Sequence, residues 1–100
     1  MKDITGTLTI RRKAGKLTGG MDEVKNCCRR GDAYGVIVSS DISDNSLSEI
    51  SYVCDTEGVQ MYKIGLTTDE IGSALGKAFA ILAVTDGGFM KAMKKGLTEL

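Results

Sequence analysis

A chain of 100 residues, 42% apolar and 26% charged, is sized for a single domain over residues 1–100 with one modest core. Thirteen basic residues balance thirteen acidic ones, so the chain is no bulk polycation and any nucleic-acid site has to be a local patch. Histidine is absent, which removes the usual neutral-pH general base and the commonest metal ligand.

The three cysteines, Cys27, Cys28 and Cys54, show no CxxC spacing. Without histidine beside them a tetrahedral zinc site is not expected. Buried, reduced thiols in a cytoplasmic protein are the expectation. The opening "MKDITGTLTI" is too polar for the apolar core of a signal peptide, and the longest apolar run, "AFAILAV", is too short to span a bilayer. No proline, repeat or low-complexity tract marks a linker.

In chain order, residues 3–14 are predicted as a helix, against the opposition of Gly6, Thr5, Thr7 and Thr9. "KLTG" (16–19) reads as a weak strand and residues 21–30 as a helix. "GVIVSS" (35–40) is a branched apolar run expected as a buried strand. "SLSE" (46–49) has the form of a capping box, followed by a stripe of Leu47, Ile50, Val53 and Cys54. "VQMYKI" (59–64) reads as another strand. "TTDE" (67–70) is a second capping box ahead of Ile71, Ala74 and Leu75. "FAILAVT" (79–85) is the last strand, and Asp86 caps a helix carrying Phe89, Met90, Met93 and Leu97. Strands alternating with helices predict an α/β fold, a three-layer α/β/α sandwich around a sheet of about four strands.

The stretch "TGGMDEVKNCCRRG" (18–31) carries the functional question. At 100° per residue, Met21, Val24, Cys27 and Cys28 share one arc and face the core. Asp22, Glu23, Asn26, Arg29 and Arg30 fall on the opposite side. Gly19 and Gly20 lead into the first turn without side chains, so another backbone can come close to the exposed amides. Acids in the first turn and arginines in the last complement the helix dipole and suffice for a solvated surface helix. The alternative is that this end docks in a nucleic-acid groove, its amides on phosphate and its polar side chains on base edges.

Four stretches resemble the bacterial YlxQ family, within the kink-turn RNA-binding ribosomal-protein superfamily of the L-seven-Ae and L-thirty-e type. They are "RRKAGKLTGG", "GMDEVKNCCRRG" against the signature G-x-N-E-x-x-K ending at R-G, "IGSALGK" against L-G-x-A-x-G, and "AVTDGGF". The resemblance spans roughly residues 4 to 95. It implies the same three-layer sandwich and an RNA partner bent at a bulge beside sheared G·A pairs, where a widened groove admits the helix N-terminus. Carried across, Gly20 and Glu23 match the signature glycine and glutamate. Asp22 stands where most relatives have asparagine and Asn26 where most have lysine. Gly19 and Thr18 stand where ribosomal members often carry basic residues. An aspartate cannot donate to guanine O6, and losing a lysine removes about one phosphate contact. Lys25, Arg29, Lys16 and the cluster Arg11, Arg12 and Lys13 are the candidate replacements; a solvated basic face accounts for them equally. The apolar loop that covers a flipped-out base in the family corresponds to the segment after Gly76, with Ala78 and Phe79. Phe79 fits plain strand core as well.

No nucleophile–base pair and no phosphate loop of the G-x-x-x-x-G-K type is present. A non-enzymatic protein without cofactor or metal is therefore expected. The implied partner is structured RNA, ribosomal or regulatory, with no DNA and no membrane, and the chain is expected to be a monomer. The rival reading is a protein-interaction module on the same fold, which the neutral charge, Asp22 and Asn26 favour.

Overall fold

The computed structural model describes residues 17–100; the helix expected over 3–14, with Arg11, Arg12 and Lys13, and Lys16 beyond it, lies outside them. The elements run β1 (Leu17–Gly19), α1 (Met21–Arg29), β2 (Gly35–Val38), α2 (Asp44–Glu57), β3 (Met61–Lys63), α3 (Thr68–Leu75), β4 (Ile81–Val84), α4 (Gly87–Met93), a 3-10 turn (Lys94–Gly96) and β5 (Thr98–Glu99). The sheet order is β1-β4-β2-β3-β5. Among the described strands only β2 and β3 pair in parallel, with α2 as their crossover; the other pairs are antiparallel.

β2 and β4 read as unbroken apolar runs because both faces of the sheet are covered there. Val36, Val38, Met61, Ile81 and Ala83 point to one face and pack with Val24, Cys27 and Cys28 of α1 and Ile50, Val53 and Cys54 of α2. Ile37, Tyr62, Leu82 and Val84 point to the other and pack with Ile71 of α3 and Phe89, Met90 and Met93 of α4. The result is the expected three-layer α/β/α sandwich. Truncating a fully buried side chain such as Ile37 would cost about 2–5 kcal/mol.

Among the described residues the sheet has five strands, in keeping with the expected sheet of about four; the two-residue β5, exposed on the edge of β3, is too short to leave a periodic pattern. Two expectations are corrected. Leu97 is not on the last helix, which ends at Met93; after the 3-10 turn it is half-buried against the α3–α4 face of the core. The capping box of α2 is not at 46–49. Ser43 is the N-cap, its side chain accepting from the Ser46 amide at 3.2 Å, so the helix starts at Asp44 and Glu49 lies in its second turn. The box at Thr67 and Glu70 is present in full. Among the described residues no helix is long and apolar enough to cross a membrane, and no cluster of acidic or cysteine side chains is arranged to hold a metal.

Cys27, Cys28 and Cys54 are buried free thiols at the α1–α2 contact. Burial raises the pKa of all three, and that of Cys54 reaches about 12, with the neighbouring Cys28 adding to the rise. A thiol that stays protonated when folded but ionises near 9 when unfolded stabilises the fold below pH 9. That contribution drains away as pH climbs from 9 towards 12. Denaturant midpoints should accordingly fall over this range, and Cys54→Ala should flatten the fall relative to wild type. An unchanged slope in the variant would mean that Cys54 is not held neutral.

Candidate nucleic-acid interface

Strand register defines the end of the sheet at which α1 begins. Gly19 pairs with Leu82, Val38 with Ile81, and Val38 with Lys63. The β1–α1 turn, the α3–β4 loop, and the loops that follow β2 and β3 therefore gather at one end.

Gly20 forms the α1 entry with φ 96° and ψ 149°, a backbone conformation that favours glycine. Its amide donates to the Ile81 carbonyl at 3.1 Å, and its carbonyl accepts from Val24 at 3.0 Å. Among the described residues no side chain caps this helix. The other described helices differ: Ser43 caps α2, Thr67 with Glu70 caps α3, and Asp86 caps α4. The first-turn amides of α1 thus meet no capping group, and the helix dipole adds partial positive charge there.

Gly19 fits by close approach. A Cβ on it would lie 2.6–2.7 Å from three atoms of the Phe79 ring. Phe79 is itself 7% exposed and belongs to the core. The ring thereby ties the α3–β4 loop to the start of α1. Ala78, exposed at the tip of that loop, sits against Gly72, where a Cβ would come within 3.1 Å of the Ala78 backbone. This contact gives "IGSALGK" a physical meaning: its first glycine leaves room for the returning loop. Lys77 is exposed there, its ammonium 5.7 Å from the centre of the Phe79 ring.

The residues read from sequence fall as follows. Gly19, Gly20, Ala78 and Phe79 come together at the turn and the loop. Asp22, Glu23 and Asn26 are exposed on α1, while Val24, Cys27 and Cys28 are buried beneath them. Arg29 is exposed but seven residues beyond Asp22, roughly 10 Å along the axis, so it belongs to the far end of the helix. Lys25 is half-buried and ion-paired with Glu49 of α2, so its ammonium is held at the helix–helix seam. Sequence reasoning missed that role of Glu49, because the misplaced capping box assigned its carboxylate to the helix start.

A second feature missed in the sequence stiffens this end. The Asp41 carboxylate accepts from the Thr68 amide and hydroxyl, both at 2.8 Å, and the Thr68 hydroxyl lies 3.1 Å from that of the buried Ser39. The Thr68 amide, then its hydroxyl, then Ser39, hold the Asp41 carboxyl below the usual carboxylate range. The β2–α2 loop is thereby tied to the first turn of α3.

The model of the Ribosomal protein L7Ae/L30e/S12e/Gadd45 family matches residues 2–94. The chain belongs to that family. Members of the family are typically non-catalytic RNA-binding proteins. A solved structure described as that of a protein with unknown function from Bacillus halodurans C has a TM-score of 0.82 to this chain at 23% identity. The match covers 91% of this chain and 92% of that one. This likeness bears on the fold alone.

Gly19→Ala is expected to destabilise the fold by about 1–3 kcal/mol, the scale of an overpacked contact. The added cost should be smaller in a Phe79→Leu background, where the obstructing ring is gone. Four denaturation curves closing this double-mutant cycle measure the coupling. Additive effects would mean that the ring does not press on residue 19.

Proposed function

We propose that this protein is a non-catalytic RNA-binding protein of the YlxQ branch that recognises kink-turns in structured ribosomal or regulatory RNA. The N-terminus of α1 is the reading element in this proposal, and the loop after Gly76 lies beside it. The observation that carries it is the glycine-framed, uncapped start of α1 with Asp22, Glu23 and Asn26 exposed on its first two turns. The amides suit phosphate or base oxygens. Ionised carboxylates only accept hydrogen bonds, so Glu23 and Asp22 suit base amino and imino groups, the donors that guanine presents. Phe79 supports the turn from below, which leaves Ala78 and Lys77 as the loop residues able to meet a flipped base or its phosphate.

The rival protein-interaction reading draws on the same face. Asp22 replaces the usual asparagine, Asn26 the usual lysine, and Lys25 is engaged by Glu49. The discriminating experiment is a mobility-shift titration against a standard kink-turn beside a straight duplex of equal length. Preference for the kink-turn supports RNA reading; equal or no binding favours the interaction module.

Two variants sharpen this test. Glu23→Ala should weaken kink-turn binding by about 1–3 kcal/mol and lessen the preference over straight duplex, as loss of one base contact would. Arg29→Ala should weaken both RNAs alike. If Glu23→Ala leaves the preference intact, α1 is not the reading element.

The pair Asp22→Asn, Asn26→Lys would restore the family signature and raise the local charge by two units. Kink-turn affinity should rise about tenfold at low salt, with a dependence on salt steeper by roughly one ion. Stability should change little, since both positions are exposed. Binding isotherms at two salt concentrations decide it; unchanged affinity at both would remove this face from the RNA contact.

A further inference from the structure

We propose that Lys63, Lys94 and Lys95 form a second RNA contact, a phosphate-binding corner that holds one helical arm of the bent RNA while α1 reads the bend. The inference rests on the RNA reading above and assigns it a further site.

Positive charge is short at the reading end of α1. The reading end of α1 presents Asp22 and Glu23, and Lys25 on the same helix is ion-paired with Glu49. Described residues 17–100 carry 8 basic and 12 acidic side chains. Binding a polyanion nevertheless requires cations on the backbone, which supplies much of the affinity for nucleic acid. Lys77 and the basic residues at positions 1–16 supply part of that charge, and exposed lysines at the far edge of the sheet can supply more.

The sheet indicates where. Gly20 is bonded to Ile81, Ile81 pairs with Val38, Val38 with Lys63, and Lys63 with Thr98 of β5. This row crosses the sheet from the glycine turn to the opposite edge. Lys94 and Lys95 lie in the turn that leads into β5, and the Leu97 amide closes it on the Lys94 carbonyl at 3.3 Å. All three lysines are exposed, and among the described residues none enters an ion pair. Nearby carboxylates are in part engaged: Asp41 accepts from Thr68, and Glu70 from the Thr67 amide at 2.9 Å. Glu99 is exposed one residue further along β5, opposite Tyr62.

At roughly 4.8 Å per strand, the corner stands about 14–19 Å from the glycine turn. At the shorter rise of an A-form helix, roughly 2.8 Å per base pair, that is about five to seven base pairs along an RNA arm. The lysines would thus meet an arm of the RNA rather than the bend. Point charges on flexible stems, without a planar donor, suit phosphate and carry no base preference.

The test pairs a protein change with an RNA change. Lys63→Gln, Lys94→Gln, Lys95→Gln is titrated against kink-turns with both arms about ten base pairs long, and against RNAs with one or the other arm cut to about three. On the long-armed RNA the triple variant should bind tenfold or more weaker at about 0.1 M salt, with the log–log salt slope flatter by about two. On the RNA lacking the engaged arm, variant and wild type should bind alike. The triple Lys→Arg variant should retain wild-type affinity, which separates lost charge from damage to the fold. A triple Gln variant that binds the long-armed RNA like wild type overturns the corner and leaves the α1 reading standing. Equal weakening on all three RNAs overturns it too, since diffuse charge would then suffice. Wild-type protein that binds none of the RNAs overturns both readings.

Discussion

The ring of Phe79 and the missing side chain of Gly19 occupy the same space, and much of this molecule depends on that exclusion. With no Cβ at residue 19, the β1–α1 turn settles against the ring, Gly20 bonds to Ile81, and the α3–β4 loop is fixed beside the start of α1. Two segments about 60 positions apart in the chain become one surface. A side chain at residue 19 would force the ring or the strand edge to move, and interiors at native packing density absorb such movement poorly.

The same economy of side chains leaves the end of α1 open. Three of the described helices close their first turn with a side chain from their own chain; α1 closes with glycine. In a family whose members typically bind RNA, an uncapped turn with its dipole directed outward can accept a partner's oxygen atoms instead. The carboxylates on the adjoining turn restrict what is welcome: they accept hydrogen bonds and repel phosphate. Recognition and attraction are then separate tasks. On the proposed reading α1 discriminates and lysines across the sheet supply attraction, a division that would make specificity less sensitive to salt than affinity.

Much of the fold was legible because its signals are local. A branched apolar run bounded by polar residues is a strand wherever it sits, and the Thr67–Glu70 box uses only residues three apart. The buried arc of Val24, Cys27 and Cys28 followed from helical spacing alone. The errors arose where two local solutions competed. Both Ser43 and Ser46 can cap a helix; α2 takes the earlier one, which gives the helix an additional turn. Thr98 and Glu99 have no pattern of their own and become a strand only because β3 offers an edge.

The sequence by itself determined the layers, the core face of α1, the uncommitted acids on its outer face, and the resemblance that directed attention to residues 18–31. Spacing and side-chain chemistry suffice for these, since each depends on neighbours within a turn or two. Tertiary structure alone decided that Phe79 supports Gly19, that Glu49 holds Lys25, that Asp41 accepts from Thr68, and that Lys63 lies opposite Thr98 of β5. These are contacts between residues 24 to 60 positions apart, or placements set by strand register. No local pattern encodes which distant partner a side chain meets; strand order and helix packing choose it when the chain closes on itself.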